Sequence, residues 1–173
     1  MSEQGALERA KAGNGPAFEE LLAPVLDPAF RLAMTMLDDR SAAEDAVQEA
    51  ALKAWRKLDQ IRAGSPMRPW FLAIVANECR SARRARWWNV MRFPDLRAES
   101  APPPDTWADR ADLQTALGNL APHHLLVLTL YYHLDLPIDE VARVFGCSEG
   151  AARQRVHRAL AALRPGLVLE VNG

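Results

Sequence analysis

Three features of this 173-residue sequence predict an all-α fold of two small helical domains joined by a proline-rich linker. Strand-like alternation of β-branched residues is nearly absent, while apolar residues recur at helical spacings. Glycine is scarce and falls at plausible helix ends. Residues 92–107, RFPDLRAESAPPPDTW, contain four prolines, three of them consecutive, and read as a stiff, extended connection. The expected division is a domain at 1–91, the linker at 92–107 and a domain at 108–173.

In the first domain, AFEELLAPVLDPAFRLAMTML (17–37) reads as helical turns broken near Pro24 and Pro28, since proline removes a donor and crowds the preceding turn. In the next segment, DDRSAAEDAVQEAALKAWRKL, Ser41 followed by Glu44 fits a capping box and predicts a helix start there. Val47, Ala51, Ala54 and Leu58 then recur at i, i+4, i+7 and i+11, a stripe for the core. Gly64, Pro66 and Pro69 make 59–69 a loop. A helix is expected from Trp70 to about Trp88, with Phe71, Val75, Cys79 and Ala82 on its inner side and Trp70 packed.

In the second domain, Pro122 suits the first turn of a helix. PIDEVARVFG predicts a short helix over 137–145 that buries Ile138, Val141, Ala142 and Phe145. Gly146 can take the left-handed conformation that ends it, and Ser148 can cap the next helix. In that helix Ala152, Val156, Ala159, Leu160 and Leu163 pack inward, leaving Arg153, Gln154, Arg155, His157 and Arg158 largely outside. One apolar side and one side of long donors is the layout of a helix-turn-helix recognition helix. Its arginines can grip guanine edges and neutralise phosphate.

Composition removes several functions. Apolar residues make up 49% and charged residues 25%, an ordinary globular balance. No apolar run approaches the ~18 residues of a membrane span, so no membrane insertion is expected. MSEQGALERAKAG lacks the basic start and apolar middle of a secretion signal, so a cytoplasmic location is the default expectation. Cys79 and Cys147 stand far apart and the four histidines show no ligand spacing, which argues against a disulfide framework or a metal site. No nucleophile–base motif, phosphate loop or zinc-protease motif occurs, so neither catalysis nor a cofactor is expected.

Charge is sorted along the chain. Residues 1–60 carry 7 basic and 11 acidic side chains, 61–95 carry 7 and 2, 96–140 carry 2 and 7, and 141–173 carry 5 and 2. Two basic blocks between acidic ones look like two contact points for a polyanion. The first block contains RSARRARWW (80–88), with four arginines and two tryptophans. On a helix, Asn77, Arg80 and Arg84 share one side, with Trp88 one turn further on. Asparagine offers a donor and an acceptor to a base edge, arginines hold phosphates, and an aromatic ring can stack on an unpaired base. That set suits DNA whose strands are separating. On the preceding helix Asp45, Gln48, Glu49 and Leu52 lie at i, i+3, i+4 and i+7. Such an acidic stripe would repel DNA and suits a basic protein surface, although by itself it could be an ordinary solvated face.

Two blocks in this order carry a resemblance. AEDAVQEAALKAWRKL, eleven loop residues and WFLAIVANECRSARR resemble the second conserved region of the extracytoplasmic-function sigma factors of bacterial RNA polymerase. LDLPIDEVARVFGCSEGAARQRVHRALAAL resembles their fourth region. The resemblance implies a promoter-specificity subunit that binds core RNA polymerase and promoter DNA and is held inactive by an anti-sigma factor. It implies that Asp45, Gln48 and Glu49 engage the polymerase clamp; Leu52, expected to join them, and Trp55, expected to pack, fall in the same helix. It implies that the 59–69 loop captures a base flipped from the −10 element, that Asn77 lines that base's pocket, and that Arg80, Arg83 and Arg84 lie near the opened strand, where Trp88 is also expected. Arg153, Gln154 and Arg158 match positions that read the −35 element in the family, and Ser148 and Arg155 are expected to join them there. Gly150-Ala151-Ala152-Arg153 departs from the family's G-T-V-[KR], which removes a hydroxyl contact to phosphate.

Two other readings differ in kind. A stand-alone regulator using only the C-terminal helix-turn-helix would bind DNA without polymerase. A purely protein-binding helical module would show no salt-dependent DNA affinity.

Overall fold

A computed structural model describes residues 2–62, 64–92, 113 and 115–167, with the side chains of 87–92 and 165–167 outside that description. The expected linker therefore lies outside the described residues except for the backbone of Arg92. Every regular element among the described residues is helical. The first half contains α1 (Glu3–Lys11), α2 (Gly15–Leu37), α3 (Arg40–Arg56), a 3-10 turn (Leu58–Gln60) and α4 (Met67–Arg92). After a helical turn at 115–118, the second half contains α5 (Pro122–Leu128), a π-helical turn (Thr129–His133), α6 (Ile138–Phe145) and α7 (Glu149–Leu167).

The expected break in α2 does not occur, because the helix runs straight through Pro24 and Pro28. Each interior proline costs about 3 kcal/mol. Against that, Leu21, Leu22, Val25, Leu32 and Met36 are all buried, each contributing roughly 1.5–3 kcal/mol. Pro24 is exposed and Pro28 half-buried, so the lost donors fall toward solvent, where water can serve the freed carbonyls. Asn14 caps the start of α2, its side chain accepting from the Ala17 N–H at 2.9 Å.

Helix α3 begins one residue before the expected Ser41, with Asp39 rather than Ser41 as its cap. Asp39 Oδ1 accepts from the Ala42 N–H at 2.8 Å, and Glu44 pairs with Arg40 at 2.9 Å instead of closing a capping box. A carboxylate gains from the helix dipole as well as from the hydrogen bond, which favours aspartate over serine as the cap. The buried stripe of α3 is Ala43, Ala46, Ala50 and Ala54, continued by Leu58, while Val47 and Ala51 are half-buried at its edge. Small alanines let α3 pack closely against both α2 and α4, which also pack on each other.

The loop before α4 is shorter than expected. Residues 58–60 form the 3-10 turn and α4 already starts at Met67, leaving 61–66. Pro69 sits in the first turn, where its missing N–H has no intrahelical partner to lose. Phe71, Val75 and Cys79 are fully buried, Ala82 is half-buried, and Trp70 packs partly buried against the core, as the periodicity predicts. Burial, aided by the neighbouring Glu78 charge, pushes the Cys79 thiol up to about 12, so it is an inert packing group.

In the second half Gly146 ends α6 at φ +62°, and Ser148 Oγ accepts from the Ala151 N–H at 3.2 Å, both as expected. Val144 joins Val141 and Ala142 on the buried side of α6, with Ile138 and Phe145 only half-buried. The π-helical turn was not legible in the sequence. There the Thr129 hydroxyl donates to the Leu125 carbonyl at 2.7 Å, and the Leu134 N–H reaches the Thr129 carbonyl at 2.9 Å. The buried apolar residues of both halves belong to one continuous cluster. Helix α6 packs on α4, where Arg68 and Glu140 form an ion pair at 2.7 Å.

Candidate nucleic-acid and partner interface

Helices α3 and α4 pack side by side and present two different surfaces. On α3, Asp45 and Gln48 are exposed and Glu49 is half-exposed. Leu52 is 49% exposed and Trp55 37% exposed. An apolar side chain therefore stands open beside carboxylates on this face. Trp55 is partly anchored, its ring 5.1 Å from that of Phe18 on α2. Glu49 lies 3.6 Å from Lys53, one turn along.

Between α3 and α4 lies an open cleft of about 320 Å3 lined by Lys53, Arg56, Lys57, Ile74, Asn77 and Glu78. Asn77 is exposed and faces into it. Lys53 donates to Glu78 across the cleft at 2.8 Å. That hydrogen bond, against some desolvation and with help from both glutamates' charge, holds the Lys53 ammonium above its ordinary 10.5. The cleft combines one apolar wall (Ile74), an amide that both donates and accepts, three cations and one carboxylate, Glu78, which is paired with Lys53. It can take a planar, hydrogen-bonding ring whose backbone is anionic.

No sequence pattern points to Lys53, Arg56 and Lys57. They stand together as K-A-W-R-K, but the net acidity of residues 1–60 masks them. Only folding turns these cations toward Asn77.

The arginines of RSARRARWW separate into two groups. Arg80 and Arg84 are exposed beyond Asn77 on α4, with Arg80 Nε only 3.4 Å from the Ala76 carbonyl. Arg83 donates to the Met36 carbonyl and Arg86 to the Leu37 carbonyl, each at 3.0 Å. Those two carbonyls are orphans at the C-terminal end of α2, where a cation is favoured. The backbone of Trp88 is helical, but the reading of its side chain lies outside the described residues.

In the second half Arg153, Gln154, Arg155, His157 and Arg158 are exposed along α7 while Ala152, Val156 and Ala159 are buried. Arg153 pairs loosely with Glu149 at 3.2 Å, and the Arg155 guanidinium lies 5.0 Å over the Phe145 ring. These contacts steady the stems while leaving donors for a ligand. Ser148 accepts a backbone hydrogen bond, yet its own hydroxyl proton is free to donate. The basic side of α7 and the α3–α4 cleft are separate surfaces, and among the described residues no cluster of side chains could hold a metal ion. No helix among them is long and apolar enough to cross a membrane.

Comparison with known proteins bears on both surfaces. Residues 21–89 match Sigma-70 region 2, and residues 116–165 match Sigma-70 region 4. The ECF RNA polymerase sigma factor SigL of Mycobacterium tuberculosis is 32% identical over 141 residues, covering 78% of this chain and 80% of its own length. Among solved structures, the complex of the sigma factor RpoE with the anti-sigma factor NepR from Bartonella quintana is similar, with a TM-score of 0.69 at 29% identity, covering 88% of this chain and 98% of that one. CnrH in complex with the cytosolic domain of CnrY gives a TM-score of 0.70 at 25% identity, covering 94% and 95%.

Proposed function

This chain belongs to the extracytoplasmic-function sigma factors, and on that premise we propose how its surfaces divide the work of starting transcription. The protein is a promoter-specificity subunit with no catalysis of its own. Residues 1–91 act at the −10 element, 92–107 link, and 108–173 act at the −35 element. Asp45, Gln48, Glu49 and Leu52 dock on core RNA polymerase. Asn77, with Lys53, Arg56 and Lys57 around it, receives a base that has left the stack, and Arg80 and Arg84 hold the neighbouring phosphates. Arg83 serves first as the clamp on α2. Binding the displaced base offsets the cost of unstacking it. Arg153, Gln154, Arg155 and Arg158 read duplex DNA in the major groove, with Ser148 on a phosphate. The polymerase works in the cytoplasm, and so does this subunit.

The observation that carries this reading is the adjacency of two opposite surfaces: an acidic, leucine-bearing face on α3 and, immediately beside it, a basic cleft around Asn77. A regulator working alone with α7 has no use for either. Control by an anti-sigma factor is supported by the likeness to RpoE, which was solved with the anti-sigma factor NepR. Run-off transcription with purified core polymerase and a promoter library tests the proposal. Initiation at defined sites that share two separated elements supports it, and DNA binding without any effect on polymerase contradicts it.

A further inference from the structure

Helix α1 lies outside both matched regions, yet its side chains reach the segment that enters α4. Glu3 Oε1 accepts from the Met67 N–H at 2.6 Å. Gln4 Oε1 accepts from the Gly64 N–H at 3.1 Å. Lys11 Nζ donates to the Ile61 carbonyl at 3.0 Å. The three bonds span 64, 60 and 50 residues of sequence. Residues 3, 4, 7 and 11 share one face of a helix. The centre of that face is Leu7, which is buried, so its apolar part anchors the helix while its polar rim holds the loop.

Each tether acts on a group with a need of its own. Met67 opens α4, and its N–H is one of the orphans of a helix start. A carboxylate there satisfies the donor and complements the dipole. Gly64 sits at φ +78°, the left-handed region that favours glycine. Within the loop itself the bond from the Ser65 N–H to the Arg62 carbonyl, at 3.0 Å, closes that turn. Ile61 ends the 3-10 turn and is buried. Ile61, Gly64 and Met67 are therefore each tied to one helix.

We propose that Glu3, Gln4 and Lys11 are positioning residues for promoter recognition, holding loop 61–66 in the shape that admits one base of the −10 element and rejects others. The inference rests on the reading that this loop and the Asn77 cleft receive a flipped base. A preset loop loses less entropy on binding and tolerates fewer shapes, so α1 sharpens selectivity as well as affinity.

The test uses the full chain, alone and with core polymerase. Gln4→Ala and Lys11→Met remove tethers, while Gln4→Glu and Lys11→Arg keep the acceptor and the donor. In the free protein, amide exchange at Gly64 should quicken at least ~10-fold in Gln4→Ala and stay near wild type in Gln4→Glu. In the holoenzyme, the preference among the four bases at the flipped position should fall several-fold in Gln4→Ala/Lys11→Met. Discrimination at the −35 element and affinity for polymerase should not change, and the two conservative variants should restore selectivity. Unchanged exchange and unchanged base preference in the double variant would overturn the proposal, as would equal losses at both promoter elements. If wild-type holoenzyme shows no base preference at any −10 position, the assignment of the loop falls, and the specificity role falls with it. The exchange rates would still report whether the tethers exist.

Discussion

Arg68, in the first turn of α4, meets Glu140, in the first turn of α6, at 2.7 Å, and the pair joins the two halves of the chain. A cation in the first turn opposes its own helix's dipole, so Arg68 is placed for its partner. The −10 and −35 elements lie roughly 25 positions apart, about 85 Å along duplex DNA at ~3.4 Å per step. If the two halves take these elements as proposed, halves in contact cannot hold both, and this contact opens on the promoter. In the free chain, spin labels at Glu19→Cys and Gln154→Cys, with Cys147→Ser, should give one narrow distance distribution. Arg68→Glu should lengthen or broaden it, and Arg68→Glu with Glu140→Arg should restore it. The same distribution in all three would show that the pair does not hold the halves.

Glu49→Lys is expected to abolish binding to core polymerase while leaving helicity and melting essentially unchanged. Glu49 is half-exposed and its one ion pair, with Lys53, is long at 3.6 Å, so little of the fold depends on it. Wild-type affinity in a binding titration would remove the α3 face from the account.

Arg83 and Arg84 are neighbours with opposite expectations. Arg83→Ala should lower stability by about 1–2 kcal/mol in denaturant unfolding, because the Met36 carbonyl loses a charged donor. Arg84→Ala should leave stability alone and instead reduce the salt dependence of single-strand binding by about 0.7 in the log–log slope, the share of one phosphate. Equal effects of the two on both measurements would contradict the division.

Arg158→Ala is expected to cost roughly 1–3 kcal/mol at the −35 element if the guanidinium makes a bidentate base contact. Gel-shift titrations against single-base promoter variants would show specificity relaxing at one position. Unchanged discrimination would count against the placement of α7 in the groove.

Burial, and then the neighbouring His123, hold His124 below its ordinary 6.5. The folded chain therefore takes up this proton less readily than the unfolded one. The resulting stability is complete above about 6.5 and is lost as pH falls through the lower folded value. Melting followed between about pH 7.5 and pH 5 should show this decline, and His124→Gln should flatten it.

The sequence revealed what repeats or caps. The inward face of α4, the Gly146 turn, the Ser148 cap and the outward arginines of α7 all follow from spacing and side-chain chemistry. It misplaced features decided by burial or by competition. Proline at 24 and 28 signals a break, but the apolar face of α2 overrides it. Ser41 looked like a cap, but Asp39 took the position. The acidic face of α3 was visible in one helix, whereas the cleft was not, since Lys53, Arg56, Lys57 and Asn77 come together only across two helices. Arg83 and Arg84 are indistinguishable as letters, and only the position of the end of α2 separates them. The tethers from α1 connect residues at least 50 apart, beyond the reach of any local pattern.

The most direct test places the fluorescent base 2-aminopurine at each position of the −10 element in turn, in complex with core polymerase and this chain. The account predicts a rise in fluorescence at one position as that base leaves the stack, only when polymerase and chain are both present, and its loss in Asn77→Ala. No rise at any position, or an equal rise in Asn77→Ala, would contradict it.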